Sequence, residues 1–312
     1  MSVRAREGLS ELFDVRVDFL TAEAALDLGA MLWSTACVTL TPGAGSSPPR
    51  SFHGVVEEAS YLGFDDRFHR YRLRLRPTLH GLAYRVRTRI FQELSAIDIV
   101  KKVFADAGVP SDTVRWETSG SYPVRTYCTQ WKESELAFVL RLLEDEGIFY
   151  WFDHTDVDHV LCLGDAPGVH RSIEGDPVLP MRVRVGEEID TIWSTVLETK
   201  IVHDAYQSRD WFFETPAAPL EARDGADGVR LAYEYPGGYA DPAEGGRRAR
   251  VRLEEAWHDR VRLRAKSDCL RLAPGRKFEI VDAQPDLFVR EYLVTAIEHR
   301  FEVRDRERAG AG

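Results

Sequence analysis

Between Phe152 and Val160 the chain carries Asp153, His154, Asp156, Asp158 and His159, a run dense in the side chains that bind divalent metals. Carboxylates and imidazoles gathered in this way would hold a structural ion or polarise a metal-bound water. A closed site also needs rigid geometry, which a hairpin tip seldom provides, so the run reads as a polar turn and no metal is expected. Glu144 and Glu146 suggest paired carboxylates for acid–base chemistry. On a helix, however, residues two apart point to nearly opposite sides, whereas glycosidase carboxylates converge on one bond. The sequence contains no G-x-S-x-G elbow, H-E-x-x-H helix, phosphate-binding loop or dinucleotide fingerprint. Cys37, Cys128, Cys162 and Cys269 are scattered without C-x-x-C spacing and read as buried reduced thiols. No catalytic, cofactor-binding or metal residue is assigned, and no cofactor is expected.

The elements that carry these residues are legible. From Ser134 to Glu146 the apolar residues Leu136, Val139, Leu140 and Leu143 recur at i, i+3, i+4 and i+7, widened by Phe138 and Leu142, which specifies an amphipathic helix. Ser134 is placed to cap its first turn, and Gly147 to end it in the left-handed conformation. An apolar strand, Ile148 to Phe152, follows at once, giving a compact β-α-β unit. The acidic Glu144-Asp145-Glu146 at the helix C-terminus opposes the helix dipole, so either solvent or a basic surface must compensate it.

Read in order, Phe13, Val15, Val17 and Phe19 alternate with Asp14, Arg16 and Asp18, the period of a half-buried strand. Ala22 to Trp33 is ambiguous, and Ala36 to Leu40 returns to strand. Phe52 to Leu62 and Phe68 to Arg76 form a hairpin expected to turn at Gly63-Phe64-Asp65-Asp66. In its second strand Arg70, Arg72, Arg74 and Arg76 share one face, which admits three readings: a solvated face paired with local acids, a subunit interface, or a pore lining. Ser95 and Asp98 mark a helix carrying Ile97, Val100, Val103, Phe104 and Ala107, stopped by Gly108 and Pro110. The remainder reads as strands: Ile192 to His203, Trp211 to Glu214, Val229 to Tyr235, Ala249 to Trp257, Val261 to Lys266, Phe278 to Asp282 and Glu291 to Phe301. Val251, Leu253, Val261 and Leu263 alternate there with Arg250, Arg252, Arg260 and Arg262, repeating the Arg-faced strand.

The expected fold class is mainly β with an α+β insertion: two small antiparallel β-barrels flanking an α+β domain. The boundaries are residues 1–86 for the first barrel, 87–178 for the α+β domain, and 179–206 with 249–303 for the second barrel. Residues 207–248 are assigned to an insertion subdomain and 304–312 to a disordered tail.

A chain of 312 residues, 44% hydrophobic and 29% charged, has the composition of a globular protein able to bury more than one core. Its formal charge of −10 disfavours a nucleic-acid partner, although Arg runs leave room for a local basic patch. Met1 to Leu12 has no apolar core, so a signal peptide is not expected. The uncharged window from Leu28 to Pro49 ends in a Pro/Gly/Ser loop, so no membrane span is expected.

The central unit resembles the VgrG family, the spike proteins of type VI secretion systems, whose N-terminal half is similar to the hub of contractile phage tails. The resemblance rests on Tyr127, Cys128, Gln130, Trp131, Lys132, Glu133, Ser134, Phe138, Leu142, Leu143, Glu144, Glu146 and Gly147. Flanking matches are Phe52-His53-Gly54, Ile90-Phe91-Gln92, Tyr235-Pro236-Gly237 with Tyr239, and Pro274-Gly275 with Phe278, so it extends over nearly the whole chain. What it implies is a non-enzymatic structural hub: a homotrimer adapting a hexameric tube protein to a puncturing spike within a baseplate. Secreted effectors or their adaptors are further partners it implies; nucleic acid and direct membrane insertion are not. Assembly in the cytoplasm and delivery by the contractile machine follow from the same resemblance. The hub of a phage tail or tail-like particle is the alternative, and a cell-wall hydrolase a third. His299-Arg300-Phe301 stands about where the hub part ends in that family, so the sequence is expected to be a fragment, a split gene product or a truncation.

Overall fold

The computed structural model describes residues 1–41, 48–65, 67–182, 190–214, 216 and 220–302. The tail expected at 304–312 lies outside these residues, as does most of the loop that follows Leu40. The chain is mainly β, with few helices.

β1 (Ser2–Gly8) and β2 (Glu11–Thr21) form a hairpin that turns Val3, Ala5, Phe13, Val15 and Val17 inward, as the alternation requires. The ambiguous segment holds one short helix, α1 (Leu28–Met31), capped by Asp27, whose carboxylate accepts from Ala30 N at 3.0 Å. β3 (Thr35–Leu40), β4 (Arg50–Asp65) and β5 (Phe68–Arg76) complete the set. The turn between the last two is tighter than expected. Gly63, Phe64 and Asp65 are still paired with Arg70, His69 and Phe68, because a bulge at Tyr61/Gly63 absorbs the extra residue and Gly63 takes a φ of 121°. The Arg row on β5 faces acids of its own sheet. Arg72 holds Asp18 through two bonds of 2.6 and 2.9 Å, Arg74 meets Asp14 and Glu57, and Arg76 reaches Asp14 at 3.4 Å.

Next come β6 (Val86–Phe91), β7 (Leu94–Ser95), α2 (Ala96–Ala107), β8 (Val114–Glu117), β9 (Val124–Arg125), β10 (Cys128–Ser134), α3 (Glu135–Glu146), β11 (Phe149–His154) and β12 (His159–Gly164). Both helices begin and end as their sequences dictate. Ser95 accepts from Asp98 N and Ser134 from Ala137 N, while Gly108 and Gly147 take φ values of 76° and 71°. The buried faces of α2 and α3, including Val100, Val103, Phe138, Val139 and Leu142, join one core with Phe13, Phe52 and Leu75 of the N-terminal strands.

The C-terminal third departs furthest from expectation. It contains β13 (Val178–Pro180), β14 (Ile192–Thr199), β15 (Ala205–Asp210), β16 (Leu220–Gly225), β17 (Leu231–Glu234), α4 (Pro242–Trp257), β18 (Val261–Ser267), β19 (Lys277–Val281), β20 (Glu291–Leu293) and β21 (Ala296–Glu302). Ala249 to Trp257 is helix, not strand. Asp241 caps α4 by accepting from Ala243 N, Pro242 stands in its first turn, and Gly245, Ala249 and Leu253, four residues apart, are its buried stripe. The alternation of Val251 and Leu253 with Arg250 and Arg252 was too short to separate the two periods. Trp211 to Glu214 is also no strand: Trp211 N donates to its neighbour Asp210, and Trp211 and Phe213 are exposed. α4 packs on β16 and β15.

The strand expected from Glu291 to Phe301 splits in two. β20 pairs with β19, whereas β21 pairs antiparallel with β1, so the strand order of the first sheet is β21-β1-β2-β5-β4-β3. Residues 296–302 are therefore paired with the N-terminal strands. The other C-terminal strands form β13-β19-β20, β14-β18 and β16-β15-β17.

Candidate functional site

The densest group of chemically capable side chains lies where the N-terminal sheet meets the β11–β12 hairpin. β1 runs Val3, Ala5, Glu7 on its inward face, so Glu7 enters the interior in phase with two apolar residues and is only 3% exposed. Arg50 of β4 binds it through Nη2 at 2.8 Å. His154 Nε2 stands 3.2 Å from Glu7 Oε1, and His299 Nε2 3.7 Å from Oε2. Burial by itself would raise the Glu7 pKa, but the charge of Arg50 and the close approach of His154 hold it well below the usual carboxylate range. On the histidines burial outweighs the neighbouring carboxylates, Asp158 beside His53 and His159 and Glu7 beside His299: it pushes His159 and His299 down to about 4 and lowers His53 as well.

Two main-chain amides fix the protons in this group. Thr78 N donates to His159 Nε2 at 3.0 Å, so a neutral His159 carries its proton on Nδ1, directed at His53 Nδ1 3.0 Å away. His53 then holds its own proton on Nε2. Its backbone N–H donates to His154 Nδ1 at 3.2 Å, which leaves the His154 proton on Nε2, facing Glu7. The rings of Phe13 and Phe52 pack among these imidazoles, with centroids 4.7 Å apart for Phe13 and His154 and 5.3 Å for Phe52 and His299.

The ligand atoms of His53, Asp158 and His159 lie within 4.8 Å of one another. The bond from the Thr78 amide nevertheless occupies the one free lone pair of the His159 ring, so the donors fit a hydrogen-bonded pair and not a metal. The expected polar turn is correct for Asp156 and Val157, which are exposed, and wrong for His154 and His159, whose rings are buried. They face each other across the hairpin with Phe152 on the same sheet, an inward placement that the acidic neighbours concealed. Asp153 serves elsewhere, accepting from Arg115 and Arg276 at 2.9 and 2.8 Å.

A second group lies at the end of α3. Glu146 is 3% exposed and accepts from Arg125 and from Arg247 of α4, both at 2.6 Å, while the exposed Glu144 meets Arg252 at 3.3 Å. The basic surface that offsets this acidic turn is thus supplied by the chain itself. Glu135, fully buried at the other end of the helix, is bound by Arg85, Arg87 and Arg89 at 2.5, 3.0 and 2.9 Å. Glu7, Arg50, Glu135 and the arginines of α4 carried no local signal, except that Glu7 falls on the apolar phase of its strand.

The signature residues do not converge on one cleft. Phe52 and His53 belong to the buried junction, and a Cβ on Gly54 would stand 2.9 Å from Arg76 O and 3.1 Å from Leu75 Cβ, so only glycine fits between those strands. Phe91 stacks on Phe138 with centroids 5.5 Å apart; Ile90 and Gln92 beside it are exposed. Cys128 is buried, and the fully buried Gln130 accepts from Arg89 and donates to Glu133 O, which closes the bulge before α3. The Glu133 carboxylate accepts from Arg141 at 2.8 Å, Ser134 caps α3, and Phe138, Leu142 and Leu143 are its core face. Tyr127 and Trp131 point outward. Tyr239 is buried and donates to Ser208 O at 2.9 Å near Gly237, while Tyr235 is exposed beside Pro236. Gly275, after Pro274, packs on the Trp151 ring, and Phe278 lines the C-terminal core.

All four cysteines are free, and Cys37 is exposed on β3, contrary to expectation. Burial pushes Cys162 up to about 12 and Cys269 up to about 11, so neither is a thiolate near neutral pH. Among the described residues no helix is long and apolar enough to cross a membrane.

A profile of the phage tail baseplate hub (GPD) family matches residues 6–305. The chain belongs to that family. This hub-family chain is 33% identical over 319 residues to the type VI secretion system spike protein VgrG1b of Pseudomonas aeruginosa, a match covering 99% of this chain and 42% of that protein. It is 34% identical over 308 residues to VgrG1c of the same organism, covering 96% of this chain and 42% of that one. The chain thus spans less than half the length of these curated relatives. The E. coli c3393 protein, a component of the type VI secretion system, has a solved structure that resembles the hub-family chain with a TM-score of 0.74 at 20% identity, over 98% of this chain and 70% of that one. A 43 kDa tail protein of prophage MuSo2 from Shewanella oneidensis shares the fold at a TM-score of 0.61 and 10% identity, over 96% and 89% of the two chains.

Proposed function

We propose that this chain is the hub part of a VgrG-like type VI secretion spike: a non-enzymatic homotrimer that joins a hexameric tube protein to a puncturing spike within a baseplate. The similarity to VgrG1b along 99% of the chain carries the reading. In it, the N-terminal sheet and the C-terminal strands act as two barrel-like units per subunit, so that three subunits offer the tube a ring of six. Both ends use one device in support of this: β18, like β5, is an Arg-bearing strand paired with an acid-bearing one, with Glu198 opposite Arg262 and 3.3 Å from Arg264. Baseplate proteins, and secreted effectors or their adaptors, are the further partners of this reading, which places assembly in the cytoplasm and delivery through the contractile machine.

The test is co-sedimentation and electron microscopy of residues 1–312 with the hexameric tube protein of the same genome. Capping of tube hexamers by trimers is expected; a dimer as the only assembly, or a strict monomer that never binds the tube, overturns the reading. The fold shared with a prophage tail protein favours a second reading, the hub of a tail-like particle, in which a phage-type tube protein is bound instead. Peptidoglycan is expected to remain uncleaved, and its hydrolysis would favour a cell-wall hydrolase.

A further inference from the structure

In the histidine junction His159 Nε2, His53 Nδ1 and His154 Nδ1 each already accept a hydrogen bond. A proton on His159 Nε2 would confront the N–H of Thr78 at 3.0 Å, with only the more distant Thr78 hydroxyl, at 3.3 Å, able to accept it. One on His53 Nδ1 would confront the His159 Nδ1–H, also at 3.0 Å, and one on His154 Nδ1 the amide of His53 at 3.2 Å. Each case sets donor against donor in a site that Phe13 and Phe52 shield from water, where an unsatisfied donor is costly.

We propose that this junction is an acid-operated latch, in which protonation of His53 and His159 releases the β11–β12 hairpin from the N-terminal sheet. The two histidines stand on opposite sides of that contact, His53 on β4 and His159 on β12, so their shared hydrogen bond is also the seam between the two parts.

Of the charges facing the seam, Asp158 favours a protonated ring, and burial outweighs it at both His53 and His159. Glu7 on β1 is neutralised by Arg50 on β4 at 2.8 Å. Asp158, in the turn, already accepts from the His159 backbone N–H at 2.7 Å. His154 on β11 faces Glu7 through Nε2, and His299 on β21 competes for the same carboxylate from 3.7 Å. Because folding lowers the pKa of His53 and His159, the stability they contribute is complete above the unfolded value of 6.5 and drains away as pH falls below it, towards about 4 for His159.

The experiment pairs two measurements on the 312-residue chain. With histidine labelled in nitrogen-15, long-range NMR correlations at pH 7.5 are expected to show the Nδ1–H tautomer for His159 and Nε2–H for His53 and His154; an Nε2–H tautomer at His159 overturns the proposal. Hydrogen exchange followed from pH 7.5 to 4.5, corrected for intrinsic rates, is expected to deprotect the strands around His53 and the β11–β12 hairpin together, before the interiors of α2 and α3. Uniform loss of protection along the chain overturns it. The variant His53→Gln/His159→Gln is expected to flatten the fall in the folding constant over this range, by roughly 100-fold from His159 alone; an unchanged pH profile overturns the latch. If the variant does not fold, the tautomers and exchange pattern of the unaltered chain decide. Stoichiometric zinc binding that shifts the His53 and His159 signals would also overturn it, by showing a metal site in place of the hydrogen-bonded pair.

Discussion

Arg247 of α4 donates through Nη2 to Glu146 Oε2 at 2.6 Å, so the acidic last turn of α3 is neutralised by a helix about a hundred residues further along the chain. Arg125 holds the other oxygen at 2.6 Å, and the carboxylate is otherwise sealed from water. Glu146→Ala strands two guanidinium groups and is expected to destabilise the fold by about 3 kcal/mol, the lower end for a broken buried pair because both arginines retain some exposure. Glu144→Ala, at an exposed position, is expected to change it by less than about 0.5 kcal/mol. Urea unfolding of both variants checks the contrast, and equal effects would refute it.

Gly147 combines a φ of 71° with contact to α4, since an added Cβ would lie 2.9 Å from Val251 Cγ2. Gly147→Val is expected to cost at least about 1 kcal/mol, from both the backbone conformation and the collision. In Gly147→Ala/Val251→Ala only the collision is relieved, so part of the loss should persist in a double-mutant cycle. A wild-type melting temperature for Gly147→Val would remove the left-handed cap from the account.

Gly54→Ala is expected to destabilise by about 1–3 kcal/mol, because the new methyl meets Arg76 O and Leu75 Cβ, and a paired backbone cannot step aside. Thermal unfolding decides; a shift within experimental error would mean that the β4–β5 ladder adjusts more readily than its spacing implies.

Asp18 and Arg72 make two good hydrogen bonds at a solvent-facing position. Asp18→Asn is expected to cost less than about 1 kcal/mol, and less again in high salt. The hydrogen bond from Arg72 is the largest influence on Asp18 and lowers its pKa, so this contribution is present above 3.8 and disappears as pH falls through the lowered folded value. The difference between wild type and variant should therefore shrink only below that range, well under the window of the histidine junction.

If residues 1–312 form the three-fold hub proposed above, they are expected to equilibrate between monomer and trimer, because two association steps each lose translational and rotational freedom. Sedimentation over a wide concentration range should find mostly monomer at roughly micromolar concentration. A dimer that persists throughout would contradict the three-fold hub.

What the sequence determined by itself is what local rules control. The limits of α3 follow from the apolar period, the hydroxyl of Ser134 and the freedom of Gly147, all within a few residues of one another. The inward faces of β2 and β5 follow from alternation. Tertiary structure decided the rest. α4 contains Gly245 and Gly246, poor helix formers, and its short Val–Arg alternation imitates a strand; the helix is favoured because Gly245 admits the Tyr239 ring and Ala249 and Leu253 find a sheet to cover. β21 is indistinguishable in pattern from its neighbours, and only the open edge of β1 recruits it to the first sheet. His53 and His154 are 101 positions apart, so no spacing rule could join them. Their protons are assigned by main-chain amides whose positions exist only once the sheet and the hairpin have packed together.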